Sequence, residues 1–164
     1  MAGGVKNYNV TGYGFGYDYQ THDCKLVRVV DDRDSSCPNV YVYTLSSNSW
    51  KITQSIPCYF YYAYSYGKFY EGALHWLAIT YGQCSIKLEC FGIINETFQE
   101  MALPEELEPY TEQPSKKYMF NIDVGVLEGC LCLVLNVYNV GIDVWMMQEY
   151  GVRESWAKSV SPLP

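Results

Sequence analysis

One segment, occurring three times, limits most what this chain can fold into. VYVYTLSSNSW (40–50) alternates apolar and polar residues, passes through a Ser/Asn turn and ends on an aromatic. KLECFGIINETF (87–98) has the same form, with Phe91 and Phe98 seven apart, as are Tyr43 and Trp50. DVWMMQEYGVRESWAK (143–158) is the third copy, running from Trp145 to Trp156 with a turn four residues longer. Upstream of the second copy lies KFYEGALHWLAI (68–79), and upstream of the third VGVLEGCLCLVL (124–135). Each of these sets a glycine, Gly72 or Gly129, between two apolar strands. GFGYDYQTHDCKLVRVV (14–30) is the corresponding pair for the first copy, turning at Gln20 to Asp23.

The repeat is therefore four short strands, over about 12–53, 68–103 and 118–160, after a lead-in at 1–11 and before a tail at 161–164. Copies are spaced 48 and 58 residues apart, from Trp50 to Phe98 and from Phe98 to Trp156. That period, with four strands per unit, marks the blade of a β-propeller. The expected fold is all-β and propeller-like, with about three four-stranded antiparallel blades; a sandwich of three hairpins is the competing architecture. Strands alternate sides, so spaced aromatics fill the wedge between neighbouring sheets. Tyr43, Trp50, Trp76, Phe91, Phe98, Trp145 and Trp156 are expected to be mainly buried. Only QEMALPEELEPY has helical content, and Pro104 and Pro109 interrupt it. Three blades do not close a ring, which takes at least about four. The expectation is an incomplete propeller with open sheet edges.

Composition agrees with a folded domain. A chain of 164 residues can bury about 70% of its unfolded surface. Hydrophobic residues make up 49% against 18% charged, which excludes a disordered segment. No run approaches the roughly 20 apolar residues of a membrane span. The opening MAGGVKNYNV has neither the basic start nor the apolar core of an export signal. Seven cysteines then read as reduced thiols in the cytoplasm or the nucleus. A net charge of −7 argues against nucleic acid and suits a basic protein surface.

GFGYD followed by CKLVRVV, then VYVYTLSSNSW, FYEGALHWLA and above all VWMMQEYGVRESW, resemble the type 1, kelch-like F-box-associated domain of plant F-box proteins. The nearer likeness is to the S-locus F-box type, found in pollen of plants with ribonuclease-based self-incompatibility. The resemblance runs from Gly12 to about Val160. It implies the substrate receptor of a Skp–cullin ubiquitin ligase, in which an F-box docks on a Skp-type adaptor and the associated domain binds the protein to be ubiquitinated. For the S-locus type that target is a basic pistil ribonuclease. An F-box is a helical segment of about 45 residues, and nothing ahead of Gly12 matches one, so only the recognition half of such a receptor is expected here. Other readings are a receptor for an unrelated target and a propeller that binds a glycan or small molecule.

Chemical motifs give way to packing. GYGFG (12–16) suggests a phosphate loop, but the third glycine of the dinucleotide pattern is replaced by Tyr17 and no helix follows. Strand glycines beside aromatics are the better account. Cys130 and Cys132, with His22 and Cys24, lack the paired spacing of a structural zinc site, and on an apolar strand cysteine acts as a small hydrophobe. His75, within ALHWLAI, reads as a core histidine. Asp31, Asp32 and Asp34 open a stretch that carries Cys37 where a calcium loop needs glycine and Tyr43 where it needs glutamate. No metal, no cofactor and no catalytic residue is expected, and the chain is not read as an enzyme.

Two stretches resist that dismissal. CYFYYAYSYGKFY (58–70) holds eight aromatics in thirteen residues; tyrosines are favoured at binding hot spots, and equally suit packing between blades. PEELEPYTEQPSKK (104–117) carries Glu105, Glu106 and Glu108; a solvated connection is the default for such a run. Strands of a blade alternate in direction, so the longer connections open on one face and the short turns SSN, INE and YGVR on the other. Loops on a rigid scaffold are where recognition resides. The expected partner-binding residues are therefore Asp31, Asp32, Asp34, Tyr59, Tyr61, Tyr62, Glu105, Glu106 and Glu108.

Overall fold

Period-two alternation of apolar residues becomes strand pairing along nearly the whole chain. The computed structural model describes residues 9–31, 36–61, 65–113, 116 and 118–159. Strands β1 (Asn9–Asp18), β2 (Asp23–Asp31), β3 (Asn39–Thr44) and β4 (Ser49–Ser55) pair in succession, antiparallel, as the first sheet. Three short strands follow: β5 (Cys58–Phe60), β6 (Ser65–Tyr66) and β7 (Lys68–Tyr70). The second sheet is completed by β8 (Ala73–Thr80), β9 (Ile86–Gly92) and β10 (Phe98–Met101). A 3-10 turn (Glu105–Leu107) and a four-residue helix α1 (Glu108–Thr111) lead to the third sheet, β11 (Phe120–Leu127), β12 (Cys130–Val137), β13 (Gly141–Met147) and β14 (Trp156–Ser159). The fold is all-β and propeller-like, and among the described residues no helix is long and apolar enough to cross a membrane.

The tyrosine-rich stretch is not a plain loop. β5 and β7 both pair with β8, and β6 adds a two-residue parallel bridge to the edge of β1. Residues 58–60 and 65–70 thus tie the first sheet to the second.

The hairpins β7–β8 and β11–β12 each turn on two residues, Glu71-Gly72 and Glu128-Gly129, all four with positive φ. That conformation is a type I′ turn, whose twist matches paired strands and which favours glycine at its second position.

The sheets stack face to face, with the second in the middle. β8 alternates its loyalties. Leu74, Trp76 and Ala78 meet Val27, Val29, Val40 and Val42 of the first sheet, while Leu77 and Ile79 meet Leu131, Leu133, Leu135, Trp145 and Trp156 of the third. This is why ALHWLAI reads as an unbroken apolar run: both of its faces are covered. The glycines of GYGFG sit on the covered face of β1. A Cβ on Gly14 would lie 2.8 Å from the Leu74 side chain, so glycine lets the sheets close.

Most of the expected core aromatics are inside: Trp76, Phe91, Trp145 and Trp156 are buried, and Tyr43 and Phe98 half-buried. Trp50 is the exception, at 44% exposed. Its strand is the outer edge of the first sheet, and its ring lies on the face turned away from the second, so no sheet among the described residues encloses it. Register also corrects the third copy. Trp156 pairs with Met147, and Trp145 with Lys158. The residue equivalent to Tyr43 and Phe91 is therefore Met147, and the turn is two residues longer than in the other copies.

Candidate functional site

The connections β2–β3, β8–β9 and β10–α1 open at one end of the stacked sheets, where strand polarity puts them. Asp31 closes β2 at that end, and Tyr59 and Tyr81 meet across β5 and the end of β8 as a tilted pair with ring centroids 5.6 Å apart. Burial raises the Tyr81 phenol, and the nearby Asp31 carboxylate raises it further. Tyr59 is 41% exposed, so this tyrosine pair and Asp31 form a small amphipathic patch.

At the opposite edge of the second sheet, the chain leaves β10 and winds into the 3-10 turn and α1. Pro104 and Leu107 are buried and anchor the turn, which leaves Glu105, Glu106 and Glu108 exposed. A cleft of about 240 Å³ runs beside it, lined by Ser85, Lys87, Glu100, Glu108, Glu112 and Arg153 among others. Carboxylates outnumber cations in and around it, and Lys87 is already committed to Glu100 at 2.7 Å.

Arg153 is the residue that reading the sequence missed. It belongs to the YGVR turn, assigned from strand direction to the opposite face, yet its guanidinium lies 3.3 Å from Glu105 and 3.8 Å from Glu108, and its Nε donates to Leu103 O at 3.0 Å. The β13–β14 turn is long enough to fold back along β10, where Trp156 Nε1 also donates to Ala102 O at 3.0 Å. The two faces are therefore not cleanly divided.

Of the nine expected residues, Asp31, Tyr59, Glu105, Glu106 and Glu108 are described at this end. Asp32, Asp34 and Tyr62 lie outside the described residues. Tyr61 is corrected: it is 2% exposed and packs in the core between the second and third sheets. Its N–H bonds to Leu77 O at 2.9 Å, continuing the β5–β8 ladder, so its ring faces inward and presents no anchor.

The titratable groups elsewhere serve the fold. His75 is fully buried; its Nδ1 meets Lys68 O at 3.0 Å and its Nε2 meets the Tyr150 hydroxyl at 2.8 Å. Burial lowers its pKa, so the neutral ring donates from Nδ1 to the carbonyl and accepts from Tyr150 at Nε2. Burial pushes the Cys58 and Cys90 thiols up to about 12, which leaves them unreactive near neutrality.

At the other end, Lys25 holds Asp18 at 2.8 Å and Glu96 at 2.9 Å and donates to Ile93 O at 2.9 Å. That knot joins the β1–β2 hairpin of one sheet to the β9–β10 turn of the next.

What the exposed arrangement can do is bind. Paired tyrosines, clustered carboxylates and a cleft between sheets suit contact with a basic macromolecular surface.

Comparison with known proteins identifies the family. Residues 5–163 match the model of the F-box associated beta propeller domain. F-box protein CPR1 of Arabidopsis thaliana is 36% identical over 166 residues, covering 89% of this chain and 39% of that protein. F-box/kelch-repeat protein At3g23880 of the same plant is 28% identical over 154 residues, covering 93% of this chain and 40% of that protein. The chain thus spans about two fifths of the length of the curated relatives it matches. No solved structure matches it significantly. With its three stacked antiparallel sheets and this match over nearly its whole length, the chain belongs to the F-box associated β-propeller domain family.

Proposed function

We propose that this chain is the target-binding part of a plant F-box receptor and presents a protein for ubiquitination without catalysing a step itself. Capture occurs at the end carrying Asp31, Tyr59, Tyr81, Glu105, Glu106 and Glu108. The observation that carries this reading is that the longer connections open there, with Glu105, Glu106 and Glu108 exposed on one of them, while most turns at the other end span only two to five residues. Docking on a Skp-type adaptor and cullin is the work of an F-box, and residues 9–159 take no part in it. The reading places the chain in the cytoplasm, where such ligases act.

The net charge of −7 favours a basic target. The finer proposal, supported by the S-locus resemblance, is a basic pistil ribonuclease taken up by the pollen tube.

The test is association of a panel of such ribonucleases, and of acidic control proteins, with the immobilised chain. Raising ionic strength slows association more than it speeds dissociation, because surface fields are screened over about 8–10 Å. Replacing Glu105, Glu106 and Glu108 by Lys slows association likewise. Tyr59→Ala instead accelerates dissociation, by roughly 1–2 kcal/mol if the ring is an anchor. Loss of binding on substituting Ser46, Ser47 or Asn48, with the glutamate variants unaffected, places the target on the other end. Capture of other basic proteins, with none of the ribonucleases, removes the finer proposal alone.

A further inference from the structure

The outer strand of the middle sheet keeps an open edge. Among the described strands, β10 pairs with β9 alone. Gly92 N–H donates to Thr97 O at 3.0 Å, and the register that continues from it fixes the parity of the strand. Gln99 and Met101 exchange main-chain bonds with Cys90 and Leu88, so Phe98 and Glu100 turn their N–H and C=O groups outward. The next outward acceptor, Ala102 O, is taken by Trp156 Nε1 at 3.0 Å, and Leu103 O by Arg153 Nε. The β13–β14 turn thus closes one end of the edge. Among the described residues, none supplies a partner to the outward groups of Phe98 and Glu100.

Two cavities accompany that edge. One, of about 430 Å³, lies between the middle sheet and Tyr150 and Gly151 of the third. It exists because Ala73, Cys90 and Gly92 are small, where Leu77, Leu88 and Ile86 fill the same interface further along. Away from Glu100, its polar lining of Asn95, Gln99 and Tyr150 is neutral. The other is the cleft of about 240 Å³ beside α1. There Glu100, Glu108 and Glu112 face Lys87 and Arg153, and Arg153 is shared with Glu105, so carboxylate is in surplus. The two cavities have Glu100, Met101 and Ala102 in common and so lie in succession along β10.

We propose that β10 is a docking strand: an extended segment of a target protein pairs with its outer edge, setting a lysine or arginine in the acidic cleft and a neutral side chain in the larger cavity. Such docking rests on the capture of a protein by this chain, and specifies the form in which that protein is held. Outward donors and acceptors on alternate residues are complementary to an extended main chain, which adds one more strand to the sheet. Alternate residues of a strand stand about 7 Å apart, so side chains i and i+2 of the segment reach the two cavities in turn. The carboxylate surplus selects a basic residue for the cleft.

Fluorescence anisotropy on the purified chain tests this, with synthetic threonine-rich nonapeptides in which two alternate central positions are varied over all the amino acids. Peptides with lysine or arginine at one of these positions should bind, and glutamate there should weaken binding about tenfold. N-methylation should be felt with a period of two. Methyl groups on amides of one parity should cost about tenfold and those on the other parity nothing, because only alternate amides face β10. Glu100→Pro removes an outward donor and no bond to β9, so it should fold as the parent does and weaken the same peptides about tenfold. Glu100→Ala removes the carboxylate but keeps the N–H, and should weaken them less.

If no peptide of the set binds, or if methylation of either parity costs the same, the docking strand is overturned. It is overturned also if a captured target protein binds Glu100→Pro as tightly as the parent, and the receptor reading then stands. Peptides that bind as expected while no target protein is captured keep the docking strand and remove the receptor reading. Should Glu100→Pro fail to fold, the methylated peptides decide, since they leave the chain unaltered.

Discussion

Lys25 shows how single side chains fasten neighbouring sheets. Its ammonium is nearly enclosed, with Asp18, Glu96 and a backbone carbonyl as partners. The Lys25 contact, over the opposing effect of burial and helped by backbone N–H groups, lowers Asp18 to about 2. Glu96 also titrates low, because Lys51 and Lys25 together outweigh its burial. Burial pulls Lys25 down, but Asp18 and Glu96 more than reverse this and raise it. The signs follow. A lowered carboxylate stabilises the fold above its unfolded pKa near 4, and that contribution is lost as pH falls towards 2; the raised amine's contribution is lost only in strong alkali. Lys25→Met leaves two carboxylates without this partner and should cost about 3 kcal/mol in urea unfolding at neutral pH. The variant should also show a shallower loss of stability between pH 4 and 2 than the parent. His75 makes a second case: Tyr150→Phe removes the donor to its Nε2, an unsatisfied buried acceptor worth about 1–2 kcal/mol. An unchanged urea midpoint would show that water replaces the hydroxyl. Neither partnership was legible in the sequence. Lys25 and Glu96 stand 71 residues apart and His75 and Tyr150 stand 75 apart, and only the stacking of sheets brings them together.

At the scale of the strand, the readable signals were local ones. Seven-residue aromatic spacing gave the β3–β4 and β9–β10 hairpins, and Gly72 and Gly129 marked two tight turns. The third copy misled because a methionine stands where the others have a ring, so the conspicuous Trp145 took its place in the comparison. β5 and β6 were hidden for another reason. Strands of three and two residues have no periodicity of their own, and each is defined by a partner strand elsewhere in sequence. That pairing turned Tyr61 from an expected anchor into core. Equivalent positions now predict unequal costs. Trp156 is buried and Trp50 is not, so Trp156→Ala should destabilise by about 3–5 kcal/mol and Trp50→Ala by less than about 1. Equal losses would show that Trp50 is enclosed within the single chain.

For the whole molecule, the end that carries the candidate site was legible from strand polarity alone, since alternating strands dictate which connections share a face. Arg153 was not, because a turn that folds back along a sheet edge is held by hydrogen bonds from Arg153 to Leu103 O and from Trp156 to Ala102 O and not set by chain direction. The middle sheet gives the stack its unity. β8 is buried on both faces and contributes alternate residues to the two cores, so neither core can open without exposing part of the other. Unfolding is then expected as one transition. Val42→Ala, in the core of the first and second sheets, and Leu133→Ala, in the core of the second and third, remove buried groups far apart. The first should cost about 2 kcal/mol and the second about 2–5 kcal/mol. Both should move one shared midpoint, read identically by far-ultraviolet circular dichroism and by tryptophan fluorescence, which reports Trp76 in one core and Trp145 and Trp156 in the other. Chain concentration is held fixed throughout, because association would shift a midpoint. If Val42→Ala lowers an early transition while a later one, shifted only by Leu133→Ala, stays in place, the cores fold separately and β8 does not couple them.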